Sequence, residues 1–154
     1  MMAVVIDILH CLYLGVAQAW IAYAICGMIN ADVWGVGFGP KSAERRSLSC
    51  LRFRDALLAW YANRRVVFPG IDVYAIQEFT PEMIFKKGKP CLRAKGAETK
   101  HLLLATTDIL RPFAAIVSRG DQLFQAGLAL REYVESLDSY DLHVPTHAVQ
   151  ETRI

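Results

Sequence analysis

The chain has 154 residues, 54% of them hydrophobic, and a formal net charge of +2. That length suits one domain, or a domain fragment, with a buried core, and that apolar content excludes a largely disordered chain. Cys11, Cys26, Cys50 and Cys91 form no C-x-x-C pair and have no histidine at zinc-finger spacing, so they read as buried free thiols of a reducing compartment.

In chain order, Ala3 to Ile6 reads as a short apolar strand, and Asp7 stands where it gives way to a helix over Leu9 to Ile29. No Asp, Glu, Lys or Arg occurs from Ile8 to Ala31, a run of 24 residues. Such a run is long enough to cross a bilayer. No basic residue precedes it, as a signal peptide would require, and none flanks it until Lys41. A helix buried on all sides of a core has the same composition. Tyr13, Trp20 and Tyr23 on this helix read as core, and Gln18 interrupts its apolar character.

Residues 35–40 are a glycine-rich breaker loop without the spacing of a nucleotide-binding fingerprint. Ser42 can cap a helix running to about Arg64, with Leu48, Leu51, Ala56, Leu58, Ala59 and Trp60 as its apolar positions. After the Pro69-Gly70 turn, Ile71 to Ile76 is a short extended segment; either it supplies the partner that the first strand needs, or that partner lies in sequence outside this chain. Thr80-Pro81-Glu82 starts a brief helix, ended by the basic loop Lys86-Lys87-Gly88-Lys89-Pro90. Ala97 to about Val117 is helical by its leucine spacing, and Pro112 must kink or divide it. Asp121 can cap a last helix to about Ser136, with Leu123, Phe124, Leu128, Leu130 and Val134 inside. The expected fold class is mainly α, a bundle-like arrangement with one or two short strands.

Charge is unevenly spread. Residues 41–100 hold 13 Lys and Arg against 6 Asp and Glu, while the segments on either side are mildly acidic. A basic stretch of this kind is a candidate polyanion surface, and a solvated helix face is its plain alternative. The candidate contacts are Arg45, Arg46, Arg52, Arg64, Arg65, Lys86, Lys87, Lys89, Lys95 and Lys100. Trp60 and Tyr61 beside Arg64-Arg65 could stack on bases, or pack into the core as hydrophobic side chains more often do.

Two stretches carry a family resemblance. One is Asp7-Ile8-Leu9-His10, followed by Leu14-Gly15; the other is Lys95-Gly96-Ala97-Glu98-Thr99-Lys100-His101. Together they resemble transposon-derived open reading frames of the CACTA-like DDE transposase type. In that family a D-x-x-H motif lies in a ribonuclease-H-like core and a helical region follows. The resemblance implies that Asp7 and His10 are catalytic, that Asp7 is a metal ligand, and that Mg²⁺ or Mn²⁺ serves any remaining activity. It also implies DNA as partner and a nuclear or intracellular location. The family site needs further carboxylates from separate elements. The segment before Asp7 is too short for a first acid, and nothing in the context of Glu132, Glu135 or Glu151 marks a third. The expectation is a catalytically incomplete fragment of such a core with its helical insertion. Asp7 as a helix N-cap, His10 as a satisfied polar group on a core helix, and His101 as a packing group at a helix rim are the structural alternatives. No P-loop, G-x-S-x-G elbow, H-E-x-x-H or Ca²⁺ loop occurs.

Two further readings belong to other classes. One is a small membrane protein anchored by residues 8–31. The other is a helical interaction module without chemistry, whose apolar helix 9–29 is covered by a protein partner or a second copy.

Overall fold

The computed structural model describes residues 9–37, 42–70, 74–87 and 89–139. Asp7 and the strand expected at 3–6 lie outside these residues, as do the side chains of His10 and Cys11. The chain is mainly helical. A π-helical segment, Leu9–Ala17, runs into α1, Gln18–Asn30. Then follow α2 (Ser42–Val67), α3 (Pro81–Ile84), β1 (Phe85–Lys86), β2 (Lys89–Pro90), α4 (Gly96–Leu110), a 3₁₀ turn (Arg111–Phe113) and α5 (Gly120–Ser139).

The prolines act as their chemistry requires. Pro81 opens α3, where a missing N–H costs nothing, and Pro112 ends α4 and starts the 3₁₀ turn. Helix α5 begins at Gly120, so Asp121 lies in its first turn instead of capping it, and the side chain of Ser42 lies outside the described residues.

Among the described residues the short sheet lies at a place the sequence did not suggest. Residues 74–80 join no strand among the described residues, and 71–73 lie outside them. Instead the expected basic loop is itself an antiparallel hairpin, with Phe85 opposite Pro90 and Lys86 opposite Lys89. Backbone bonds from Cys91 N to Ile84 O (2.7 Å) and Arg93 N to Met83 O (2.8 Å) continue the pairing. The hairpin is the sole sheet among the described residues.

Helix α1 runs through the centre, packed on α4, α5 and α2. Eight of its residues are buried, from Trp20 to Ile29. The π winding ahead of it advances the buried face by five residues per repeat in place of four. Leu12 and Ala17 are therefore inside, while Val16 is 57% exposed. Leu12–Asn30 is long and apolar enough to span a bilayer, and 56% of its apolar window is buried within this fold. Its one mid-helix polar residue is used internally: Gln18 Nε2 donates to Ala94 O at 2.7 Å. Tyr23, expected in the core, is 59% exposed, because α4 and α5 cover the opposite side of α1.

Cys26 and Cys50 are buried free thiols, as expected of their apolar contexts, whereas Cys91 is a free thiol only half-buried, beside the hairpin. Burial, reinforced by Cys50, pushes the Cys26 thiol up to about 12, and burial raises Cys50 to about 11. Burial also lifts the Tyr61 phenol to about 12. Each group is neutral in the fold and ionises first in the unfolded chain. Their contribution to stability is therefore complete below the ordinary thiol range and is lost between about pH 9 and pH 12. Urea midpoints should fall steadily over the lower part of that window. Cys26→Ala with Cys50→Ala should flatten the decline; an unchanged slope in that double variant would contradict the assignment.

Candidate nucleic-acid interface

The ten basic residues singled out in the sequence separate into groups. Arg45 and Arg52, two turns apart on α2, share one flank, while Arg65 lies on the other with Arg54. One straight helix cannot aim both flanks at one strand of a polyanion. Arg64 is already engaged, with its guanidinium 4.2 Å from the Phe68 ring and 5.7 Å from Trp60. Trp60 Nε1 donates to Asp108 Oδ2 at 2.9 Å, and Tyr61 is buried. The Trp60–Tyr61–Arg64 group is therefore a packed corner of the fold and not an open stacking platform. At the start of α4, the Lys95 N–H donates to Glu98 Oε2 at 2.8 Å, and Lys100 is half-buried.

The hairpin keeps three of the ten together. Lys86 and Lys89 are directly opposed across the ladder and exposed, and Lys87 occupies the turn between them. Like charges in direct cross-strand register repel. Lys87 also has φ +50°, a left-handed conformation that costs a side-chain-bearing residue about 1 kcal/mol. Both features work against local stability, and none of the three ammonium groups is in an ion pair among the described residues.

Two arginines join the lysines through the tertiary structure. Arg46 lies over the Phe85 ring at 5.0 Å, which fixes the hairpin base against the N-terminal part of α2. Beside it, Glu82 has its carboxyl held below the usual range by its own backbone N–H and the Thr80 hydroxyl. On the other side, Pro90 of β2 helps line a groove of about 480 Å³ whose wall includes Arg119, Asn30 and Gln122, with the exposed Tyr23 at its edge. Sequence reasoning missed Arg119 because it lies in an acidic part of the chain, some thirty residues from the lysines. Its only local signal is Ser118-Arg119-Gly120, a polar break between apolar segments.

A metal centre has no comparable support. Among the described residues no group of three or more His, Cys, Asp or Glu side chains is placed to hold an ion. Glu135 is engaged by Arg131 at 2.9 Å, and Glu132 is exposed on the same helix. His101 is buried with its ring 6.1 Å from Tyr74, the packing position expected for it. No catalytic step can be derived from these groups. No protein-family model, characterised protein or solved structure matches this chain.

Proposed function

We propose that this chain binds duplex DNA through its phosphate backbone and carries out no strand transfer by itself. Lys86, Lys87 and Lys89 make the central contacts, and Arg46 and Arg119 extend them on either side. The observation that carries this reading is the Lys86–Lys89 pair with Lys87 in a left-handed turn. Three uncompensated charges in a conformation that opposes folding fit a site kept for an anionic ligand, whose phosphates would relieve the repulsion. The D-x-x-H resemblance to DDE transposases supports the same partner and a nuclear or intracellular setting. It also supports descent from a metal-dependent strand transferase. The expected activity is binding, since among the described residues no group of carboxylates is placed to hold an ion.

Fluorescence anisotropy with a 25-base-pair duplex tests the proposal. Four to five phosphate contacts give a slope of about −4 in log affinity against log salt, or roughly a 250-fold loss between 50 and 200 mM. Replacing Lys86, Lys87 and Lys89 by Gln should make that slope shallower by about 3 while leaving the helical circular dichroism unchanged. Affinity independent of salt, or a triple variant that binds like the parent, would overturn the reading.

A further inference from the structure

The groove of about 480 Å³ opens where α1, the hairpin and the start of α5 meet, and its size is that of a small-ligand site. Its lining divides by chemistry. Tyr23, Leu123 and Pro90 give it apolar surface, while Asn30, Gln122 and Arg119 bring polar ends. No carboxylate lines it among the described residues. The Asn30 and Gln122 amides and the Arg119 guanidinium have no hydrogen-bond or ion-pair partner among the described residues. Tyr23 is an aromatic of the central apolar helix left 59% exposed at this groove. Arg119 is held at φ +55°, and Lys87 of the bordering hairpin at +50°. Asp32, the third such side-chain-bearing residue among those described, has a local reason. Its carboxylate accepts the Val36 N–H at 2.8 Å and the Gly37 N–H at 2.9 Å. Lys87 and Arg119 have no such bond among the described residues, and both are cations on elements that border the groove.

We infer that this groove takes one unstacked nucleotide of the DNA held on the lysine hairpin, with the base against Tyr23, its edge toward Asn30 and Gln122, and its phosphate on Arg119. The inference rests on the DNA reading and adds to it which DNA is preferred. Pro90 follows Lys89 directly, so phosphates on the lysines bring a strand to the mouth of the groove. A carboxamide offers both a donor and an acceptor, as the edge of a base does. Two amides beside an aromatic ring therefore suit a base better than an acyl chain, which has an apolar body and no such edge. The absence of acid from the lining suits the phosphate. Stacking on an aromatic side chain does not depend on which base is present. A base inside an intact duplex must first leave its stack, whereas an unpaired base has already lost most of that energy. The groove thus favours a duplex that contains an unpaired base over one that is fully paired.

Fluorescence anisotropy on the full chain tests the inference by comparing the 25-base-pair duplex with the same duplex carrying one bulged adenine. The bulged duplex should bind about tenfold more tightly. Tyr23→Ala should abolish that preference while the affinity for the paired duplex and the melting temperature stay as in the parent. Tyr23→Phe, which keeps the ring, should retain it, and Asn30→Ala with Gln122→Ala should reduce it severalfold. Equal affinity for the two duplexes, or a preference indifferent to Tyr23→Ala, would overturn the inference and leave the salt-dependent binding by the hairpin standing. No affinity for either duplex would overturn both. Displacement of the bulged duplex by micromolar dAMP would also overturn it, in favour of a free nucleotide as the ligand.

Discussion

Replacing Gly127 by Val should unfold or nearly unfold the protein. Gly127 lies in the middle of α5, is buried, and faces α1 and α4 together. A Cβ there would fall 2.4 Å from Cζ2 and 2.8 Å from Cη2 of Trp20, and 3.0 Å from Thr107 Oγ1. The indole cannot retreat easily. It is nearly enclosed, and its Nε1 donates to Leu123 O at 2.9 Å, one turn earlier on the same helix. Helix propensity alone would favour Gly127→Ala by about 1 kcal/mol. The clash reverses that sign, because an overpacked core loses roughly 1–3 kcal/mol and occasionally more. Gly127→Ala should therefore stay folded but be about 1–2 kcal/mol less stable, lowering the melting temperature by several degrees. Gly127→Val, with two further methyl groups and a β-branch, should cost on the order of 4 kcal/mol, much of a domain's total of about 5–15. Urea titration followed by tryptophan fluorescence measures both. A stabilised Ala variant would mean that the α1–α5 contact is looser than its geometry indicates.

Asp108→Ala should produce the second-largest loss, about 2–4 kcal/mol. Its carboxylate joins three parts of the fold. It accepts from Trp60 Nε1 of α2 at 2.9 Å and from Arg131 Nη1 of α5 at 3.1 Å, and Arg111 approaches to 3.5 Å. The side chain is 31% exposed and that of Arg131 is 23% exposed, so water screens part of the attraction and the cost stays below that of a fully buried pair. Partial burial disfavours the charge on Arg131, yet the hydrogen bond it donates to Glu135, joined by the charge of Asp108, raises its pKa above the ordinary value. Removing Asp108 leaves the indole N–H and the guanidinium without the acceptor that brings α2 and α5 together on α4. A double-mutant cycle with Trp60→Phe separates the two contributions, with an expected coupling of about 1–2 kcal/mol. Additivity within experimental error would remove Trp60 from the network. Asp108→Asn, which keeps an acceptor but loses the charge, should fall between the parent and the Ala variant.

Neither residue stands out in the sequence. Gly127 interrupts a helical pattern as any tolerated glycine does, and Asp108 is one acid among helical leucines. Their importance comes from partners more than a hundred residues away for Gly127 and forty-eight for Asp108. The candidate interface divides in the same way. Lys86, Lys87 and Lys89 are legible as a basic cluster, but the loop expected there is a hairpin, because Phe85 and Pro90 are held by Arg46 and α1. Arg64 and Trp60 look like a stacking site in the sequence and are consumed by Phe68 and Asp108 in the fold. The resemblance carried by Asp7 lies outside the described residues, so its carboxylate takes no part in these arguments.

What the sequence determined by itself is the helical character, the breaks at Pro81 and Pro112, the buried thiols and the basic middle of the chain. Those follow from properties of single residues and near neighbours: a fixed φ, a missing N–H, a recurring apolar position, a local charge excess. The tertiary structure alone decided that Tyr23 faces outward, that Leu48, Leu51 and Val66 of α2 stay exposed, and that Arg119 shares a groove with Pro90 of the lysine hairpin. Those outcomes depend on which surfaces meet after collapse, and that choice is made by the summed packing of residues far apart in sequence. A periodic pattern can say that a helix has an apolar face; it cannot say which neighbour will cover it.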